Sequence, residues 1–197
     1  MLAIDALRDD DILRRENTLT APQDRHAYVI AGEIGAGKST VSQILMRNHG
    51  FVHISYVDLI WKPILDERSL PYTRENLQKL GAELMRIHGP INLARMILEY
   101  LPDDASFVID DVRTEAVFCT LKNAIPSLKL VYIQVSDESR RKRAIDRDGV
   151  SMNEQLQAEL FSTEREIKRL RRIADFHLQN DGTIASLNLQ VSSILNA

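Results

Sequence analysis

A chain of 197 residues with 44% apolar and 27% charged side chains has the material for one well-packed domain plus a small insert, and this composition excludes disorder as its main state. A formal charge of −3 supplies no global basic field, so nucleic acid is not expected as a partner. The single cysteine, Cys119, excludes an internal disulfide framework and fits a reducing, cytoplasmic setting.

Residues 1–25 read as a polar extension with a short helical pattern at 4–13. Its acidic Asp9-Asp10-Asp11 run is foreign to a secretory leader, and no stretch of the chain approaches the roughly 18 apolar residues of a membrane span. Residues 26–197 read as one domain. The apolar run 27–31 predicts a strand, followed by a glycine cluster and a helical pattern over 38–48. Residues 51–55 read as a second strand, with helical periodicity resuming near Asp58. Over 74–87 and 91–100, apolar residues recur at three-and-four spacing (Leu77, Leu80, Leu84, Ile87; then Leu93, Ile97, Leu98). His88-Gly89-Pro90 separates the two as a helix stop and start. A third strand at 106–109 is closed by Asp110 and Asp111. A helix at 114–123 follows, in which Cys119, flanked by apolar residues, is expected to be a small core residue. Then come a buried strand at 128–135, a charged helix at 137–147, a break at Asp148-Gly149 and a long helical stretch at 153–172. A strand near 176–178 and a helix at 184–195 complete the pattern. Strands alternating with helices at this spacing imply an α/β fold, a parallel sheet wrapped by helices on both faces.

Gly32-Glu33-Ile34-Gly35-Ala36-Gly37-Lys38-Ser39 satisfies G-x-x-x-x-G-K-[ST] at every position. An apolar strand leads in and a helix leads out, as phosphate binding requires. The backbone N–H groups of Gly32, Gly35, Ala36 and Gly37 can turn inward, and the following helix presents its positive end. Lys38 is expected on the outer phosphates of ATP, Ser39 on Mg²⁺, with Thr40 in the same first turn. The guanine-reading Asn-Lys-x-Asp motif and the Ser-Gly-Gly signature of transport ATPases are both missing from the sequence, which leaves the small-kinase branch of P-loop proteins.

The second acidic element is the strand end Ile109-Asp110-Asp111 with Arg113 beyond it. Asp110 is expected to hold Mg²⁺, directly or through water. Asp111 stands equally as a second carboxylate or as a cap for the helix beginning near Thr114. Arg113 has the planar fork that an acceptor phosphate needs.

The runs GEIGAGKST, ISYVDLI, TRENLQKLGAEL with the later HGPINLAR, VIDDVR and ADFHLQNDGTIASL resemble, in matching order over about 28–195, the dephospho-CoA kinase and nucleoside-monophosphate kinase group of P-loop kinases. Within that group the resemblance is to a branch related to archaeal dephospho-CoA-kinase-like proteins and phage deoxynucleoside monophosphate kinases. It implies a three-layer α/β/α P-loop NTPase fold with a five-stranded parallel sheet. It also implies a helical acceptor-binding segment at about 56–101 and a small lid at about 140–160. Asp58 matches the carboxylate that acts as base toward a hydroxyl acceptor in dephospho-CoA kinases; a monophosphate acceptor needs no base. Where the branch often has arginine after this acid, the chain has Trp61-Lys62, and Lys62 is a point charge rather than a fork. Trp61 stands either as core or as a stacking face for a base. Arg74, Asn76, Arg95 and Arg113 are the expected acceptor contacts, with Glu75 equally placed as a helix N-terminal charge.

Arg140, Arg141, Lys142, Arg143 and Arg147 crowd the charged helix. Arg143 and Arg147, four apart, share a face and match the lid arginines that close over the transferred phosphoryl group. The basic stretch at 164–172 reads as an ion-paired face. Asn180, in Asn180-Asp181-Gly182, matches the loop that lies against the ATP base, though turn chemistry alone explains those residues too. The implied function is transfer of the γ-phosphoryl group of ATP to a nucleoside or deoxynucleoside monophosphate, by a monomer or a homodimer. Dephospho-CoA phosphorylation and nucleotide sensing through a partner are the alternatives.

Overall fold

Every residue of β1 (Ala27–Ala31) is buried, and its side chains divide between two layers: Ala27, Val29 and Ala31 on one face, Tyr28 and Ile30 on the other. A strand covered on both sides needs no polar alternation, which is why the run is apolar throughout. The computed structural model describes residues 25–148 and 162–197. The helical pattern at 4–13, the glycine of the Asp148-Gly149 break, the first part of the 153–172 stretch and much of the lid segment lie outside these residues.

After β1 come α1 (Lys38–His49), β2 (Val52–Ser55), a single π-helical turn (Val57–Trp61), α2 (Lys62–Glu67) and α3 (Arg74–Leu98). Then follow β3 (Phe107–Asp110), α4 (Glu115–Ala124), β4 (Lys129–Gln134), α5 (Asp137–Asp148), α6 (Ser162–Ile173), β5 (Phe176–Gln179) and α7 (Ile184–Leu195). The five strands form one sheet in the order β2-β3-β1-β4-β5, and every pairing is parallel. Tyr28 lies opposite Val108, Val29 opposite Leu130, and Ser55 opposite Asp110. Parallel neighbours need crossovers, and the helices supply them on both faces. Val41, Ile44 and Leu45 of α1 pack with Leu187, Val191 and Ile194 of α7 on one side. Residues of α2, α3, α4 and α6 cover the other, through Leu65, Leu84, Leu121 and Leu170. The three-layer α/β/α architecture stands as expected from sequence.

Three local details differ from the sequence pattern or refine it. α3 consists of two helices that meet at Gly89, whose φ 70° and ψ 172° are non-helical, as the stop and start at His88-Gly89-Pro90 predicts; glycine reaches that region without a Cβ clash, and Pro90 has no N–H to continue the ladder. Asp110 belongs to β3 rather than ending it, because Ser55 of β2 pairs with it in register. Cys119 is exposed, a correction to its expected core position. At 100° per residue, the buried stripe of α4 is Val117, Phe118, Leu121 and Ala124, and position 119 faces outward. Among the described residues no helix is long and apolar enough to cross a membrane.

Trp61 is resolved in favour of packing. Its ring sits against the core on the α3 side, 6.3 Å from the ring of Tyr56. A Cβ built on Gly81 would lie 3.3 Å from its Cη2, so glycine makes the notch that accepts the indole. Gly81→Val is therefore expected to push the indole out, to cost about 1–3 kcal/mol by overpacking, and to shift tryptophan emission to the red. Urea unfolding followed by fluorescence checks both.

Candidate nucleotide site

The central strand β1 runs directly into the Gly32–Ser39 loop, and α1 starts at Lys38 with Gly37 as its N-cap. Gly37 adopts φ 97° and makes no side-chain cap, and the first turn carries no acidic residue. The N–H groups of this turn are thus left without a capping side chain or a competing carboxylate, which is the condition for an anion site at a helix start. Lys38 reaches back over the loop, its Nζ donating to the carbonyls of Gly32 at 2.9 Å and Glu33 at 3.1 Å. Ser39 is exposed and Thr40 half-buried.

Beside this loop, on the neighbouring strand β3, Asp110 is 7% exposed. Ser42 Oγ donates to its Oδ2 at 3.3 Å, and the Asp111 amide to its Oδ1 at 2.8 Å. His53 Nε2 stands 3.6 Å from Oδ2, an ion pair rather than a direct hydrogen bond. Burial works to raise the Asp110 carboxyl, but His53, the Asp111 amide and the charge of Lys38 together hold it below its ordinary value. Asp110 in turn raises the His53 imidazole, against the effect of burial and with help from Asp111 and Asp58. Asp111 moves the other way, raised by burial and by the neighbouring Asp110, with Arg113, Ser55 and Lys38 pulling it down. It takes φ 68° and accepts from Ser55 Oγ at 3.1 Å. It does not cap α4: Thr114 does, its side chain accepting from the Val117 amide at 3.3 Å. The cap alternative for Asp111 is thereby removed.

The Ser39 hydroxyl and the Asp110 carboxylate are hard oxygen donors on adjacent elements and fit Mg²⁺. Among the described residues no group of three or more His, Cys, Asp or Glu side chains is placed to hold a metal.

The start of α5 presses on the same loop. A Cβ on Gly35 (φ 79°) would lie 3.0 Å from Cγ of Arg140, and Arg140 is 7% exposed. Its guanidinium pairs with Asp137 at 3.0 Å and with Glu33 at 3.7 Å, while Lys168 of α6 reaches Glu33 at 3.7 Å. Arg140 was grouped by sequence with the lid cations; the structure buries it beneath the phosphate loop. Arg143, one turn on, donates from Nη2 to the Asn180 carbonyl at 2.7 Å. The side chains of Arg147 and Arg74 lie outside the described residues.

In the segment after β2, Asp58 is exposed and pairs with Lys62 across one helical turn, and its amide donates to Ser55 Oγ at 3.3 Å. Its charge reaches His53, while Lys38 and Arg113 act on Asp111, so these five groups share one electrostatic neighbourhood. Arg113 and Arg95 are half-buried, the latter after buried Leu93 and Ala94. Asn76 is held locally: its amide N–H goes to the Thr73 cap at 3.2 Å and its Nδ2 to the Pro71 carbonyl at 2.9 Å. Glu75 pairs with Lys79, a helix-surface role. Tyr56 Oη and Trp61 Nε1 are buried without a hydrogen-bond partner, a cost on the order of 1–3 kcal/mol each.

Sequence reasoning missed Ser42, His53 and Ser55. Ser42 lies three residues after Ser39 on α1, a spacing that places both on one side of a helix. His53 and Ser55 alternate onto one face of β2, but only the register with β3 brings them to Asp110 and Asp111. The turn after β5 is also tied down. Asp181 accepts from the Ser136 amide at 2.9 Å and its hydroxyl at 2.7 Å, and from the Gln179 side chain. These bonds, led by the Ser136 hydroxyl, lower its carboxyl from 3.8 to about 2. A depressed acid contributes stability above its ordinary value and loses it as pH falls through its folded one. Carboxyl NMR titration should find a midpoint near 2 for Asp181, rising toward the ordinary value in Ser136→Ala, which keeps the amide donor and removes the hydroxyl.

A family model described as an AAA domain matches residues 29–165, more than half of the chain. An adenylate kinase of Malacoplasma penetrans (strain HF-2) is 31% identical over 123 residues, which cover 60% of this chain and 55% of that protein. The chain thus spans about half the length of this curated relative. Among solved structures, a gluconokinase from Sinorhizobium meliloti 1021 superposes with a TM-score of 0.57 at 15% identity, covering 89% of this chain and 94% of that one. A sugar kinase from Janibacter sp. HTCC2649 gives 0.57 at 16% identity, with 87% and 95% covered. TT1252 from Thermus thermophilus gives 0.55 at 20% identity, with 88% and 98% covered. At these identities the structural likeness is one of fold. With the family match spanning β1, the phosphate loop and the Asp110 strand, the chain belongs to the AAA domain family and carries the P-loop kinase fold.

Proposed function

We propose that this protein is an ATP-dependent phosphotransferase that moves the γ-phosphoryl group of ATP to a nucleoside or deoxynucleoside monophosphate. The observation that carries the proposal is the juxtaposition of the uncapped Gly37–α1 start and Lys38 with the buried Asp110 carboxylate on the adjacent strand. An acceptor phosphate oxygen, ionised near neutral pH, attacks the γ-phosphorus while the bond to the β–γ bridging oxygen breaks and ADP leaves. Catalysis then consists of positioning and charge compensation. Lys38 and the loop amides hold the donor phosphates; Arg113, Arg143 and Arg147 are assigned to the transferred group. Ser39 and Asp110 would hold Mg²⁺, which would supply charge compensation to the phosphate oxygens.

Arg74, Asn76, Arg95 and Arg113 are assigned to the acceptor. The relative named as an adenylate kinase supports a nucleotide there. Asp58 is tied to Lys62, and a monophosphate acceptor, already ionised, needs no base from it. A cytoplasmic enzyme acting on a small molecule is consistent with one exposed thiol and no apolar spanning helix among the described residues.

Lys38→Ala is expected to lower kcat on the order of 10²–10³-fold with an unchanged melting temperature. ATP turnover equal to wild type contradicts the assignment. The acceptor is tested by ADP release with Mg-ATP and a panel of ribo- and deoxyribonucleoside monophosphates, dephospho-CoA and gluconate. Turnover is expected with a nucleoside monophosphate and is expected to survive Asp58→Asn within about threefold, since no base is needed. Turnover confined to dephospho-CoA or gluconate overturns the acceptor.

A further inference from the structure

The sheet edge beyond β5 meets the phosphate loop at one residue. Asn180 is 8% exposed, and its Nδ2 donates to the carbonyl of Ala36 at 2.8 Å. Its own amide donates to the Gln134 carbonyl at 2.8 Å, and its carbonyl accepts from Arg143 at 2.7 Å. Asp181, the next residue, fixes the turn onto Ser136 at the head of α5, so the backbone carrying Asn180 is held from both sides. The contact with the loop is close: a Cβ on Gly37 would lie 2.2 Å from Nδ2 of Asn180.

The peptide joining Ala36 to Gly37 is planar and trans, so its C=O and N–H point in opposite directions. Fixing the Ala36 oxygen on Asn180 therefore turns the Gly37 N–H away from Asn180. We propose that Asn180 is a positioning residue for nucleotide binding: its side-chain amide locks the Ala36–Gly37 peptide with the N–H presented to the phosphates, and its backbone carbonyl seats Arg143 on the same edge. From sequence, the Asn180-Asp181-Gly182 loop is expected to lie against the ATP base; both backbone polar groups of Asn180 are engaged within the protein, and its side chain is directed to the phosphate loop. The inference rests on the reading of this loop as the ATP phosphate site. It adds a residue that acts through the loop without touching ATP.

The test uses the full chain with Asn180→Ala and Asn180→Leu, the second nearly equal in shape and lacking the donor. Each is titrated with Mg-ATP by calorimetry, assayed with the active acceptor, and melted. The Kd for Mg-ATP and the KM for ATP are expected to rise roughly tenfold, the scale of one lost hydrogen bond. The acceptor KM is expected to stay within about twofold. A purely structural residue would lower the melting temperature and leave the ATP KM of the folded protein at the wild-type value, and that result overturns the proposal. If the alanine variant does not fold, the leucine variant carries the same expectation. Wild-type protein that binds Mg-ATP no better than either folded variant refutes the positioning role alone. Wild-type protein that binds no Mg-ATP refutes the phosphate-site reading, and the inference with it.

Discussion

The phosphate loop satisfies its Ala36 amide internally, on the Glu33 carbonyl, but leaves the N–H groups at the start of α1 without a capping side chain, and the surroundings of Gly32–Ser39 are organised by that constraint. The loop has no side chain to cap the start of α1. Its conformation is held by groups that bind its carbonyls and pack on its glycines. Lys38 spans the Gly32 and Glu33 carbonyls, Asn180 takes Ala36, and Arg140 lies against Gly35. Each supporting group comes from a different element, so the loop's shape is a consequence of the whole C-terminal edge of the sheet. Strand order explains how they converge: β1 is central, with β3 and its Asp110 on one side and β4, leading into α5, on the other.

The same edge separates charges of opposite duty. Asp110 stays ionised because His53, the Asp111 amide and Lys38 outweigh its burial. Asp111, one residue on, is raised by burial and by Asp110. Two adjacent carboxyls thus differ in readiness to carry charge. The cations of α5 divide between two supports: Arg140 braces the loop through Glu33, and Arg143 binds the Asn180 carbonyl. The π-helical turn, with the buried Tyr56 hydroxyl and Trp61 indole N–H, is the place where local rules are broken, and it lies in the segment proposed to bind the acceptor; such departures concentrate at functional sites.

Much of this was legible in the residues. The β1 run, the loop and α1 follow from apolar patterning and glycine spacing, because phosphate binding ties sequence to geometry over eight consecutive positions. The Gly89-Pro90 kink was legible because both residues limit the backbone directly. Contacts between distant strands were not. Nothing in the spacing of His53, Ser55 and Asp110 shows that β2 and β3 are neighbours in register, since β1 lies before both in the chain and beside only one of them. Cys119 was misread because flanking apolar residues were taken for a buried run, whereas α4 is amphipathic and one of its apolar-looking positions faces water. Arg140 was grouped by charge with the other cations of α5; its depth depends on how that helix docks, which is a property of packing rather than of composition.

The central claim is that the Gly32–Ser39 backbone grips a triphosphate. The most direct measurement is a crystal structure with Mg²⁺ and a non-hydrolysable ATP analogue. It is predicted to show phosphate oxygens within about 3 Å of the backbone N–H groups of residues 35–39, with Lys38 Nζ moved from the Gly32 and Glu33 carbonyls onto the outer phosphates. A nucleotide bound elsewhere on the protein, or a loop whose carbonyls rather than amides face the ligand, would contradict it.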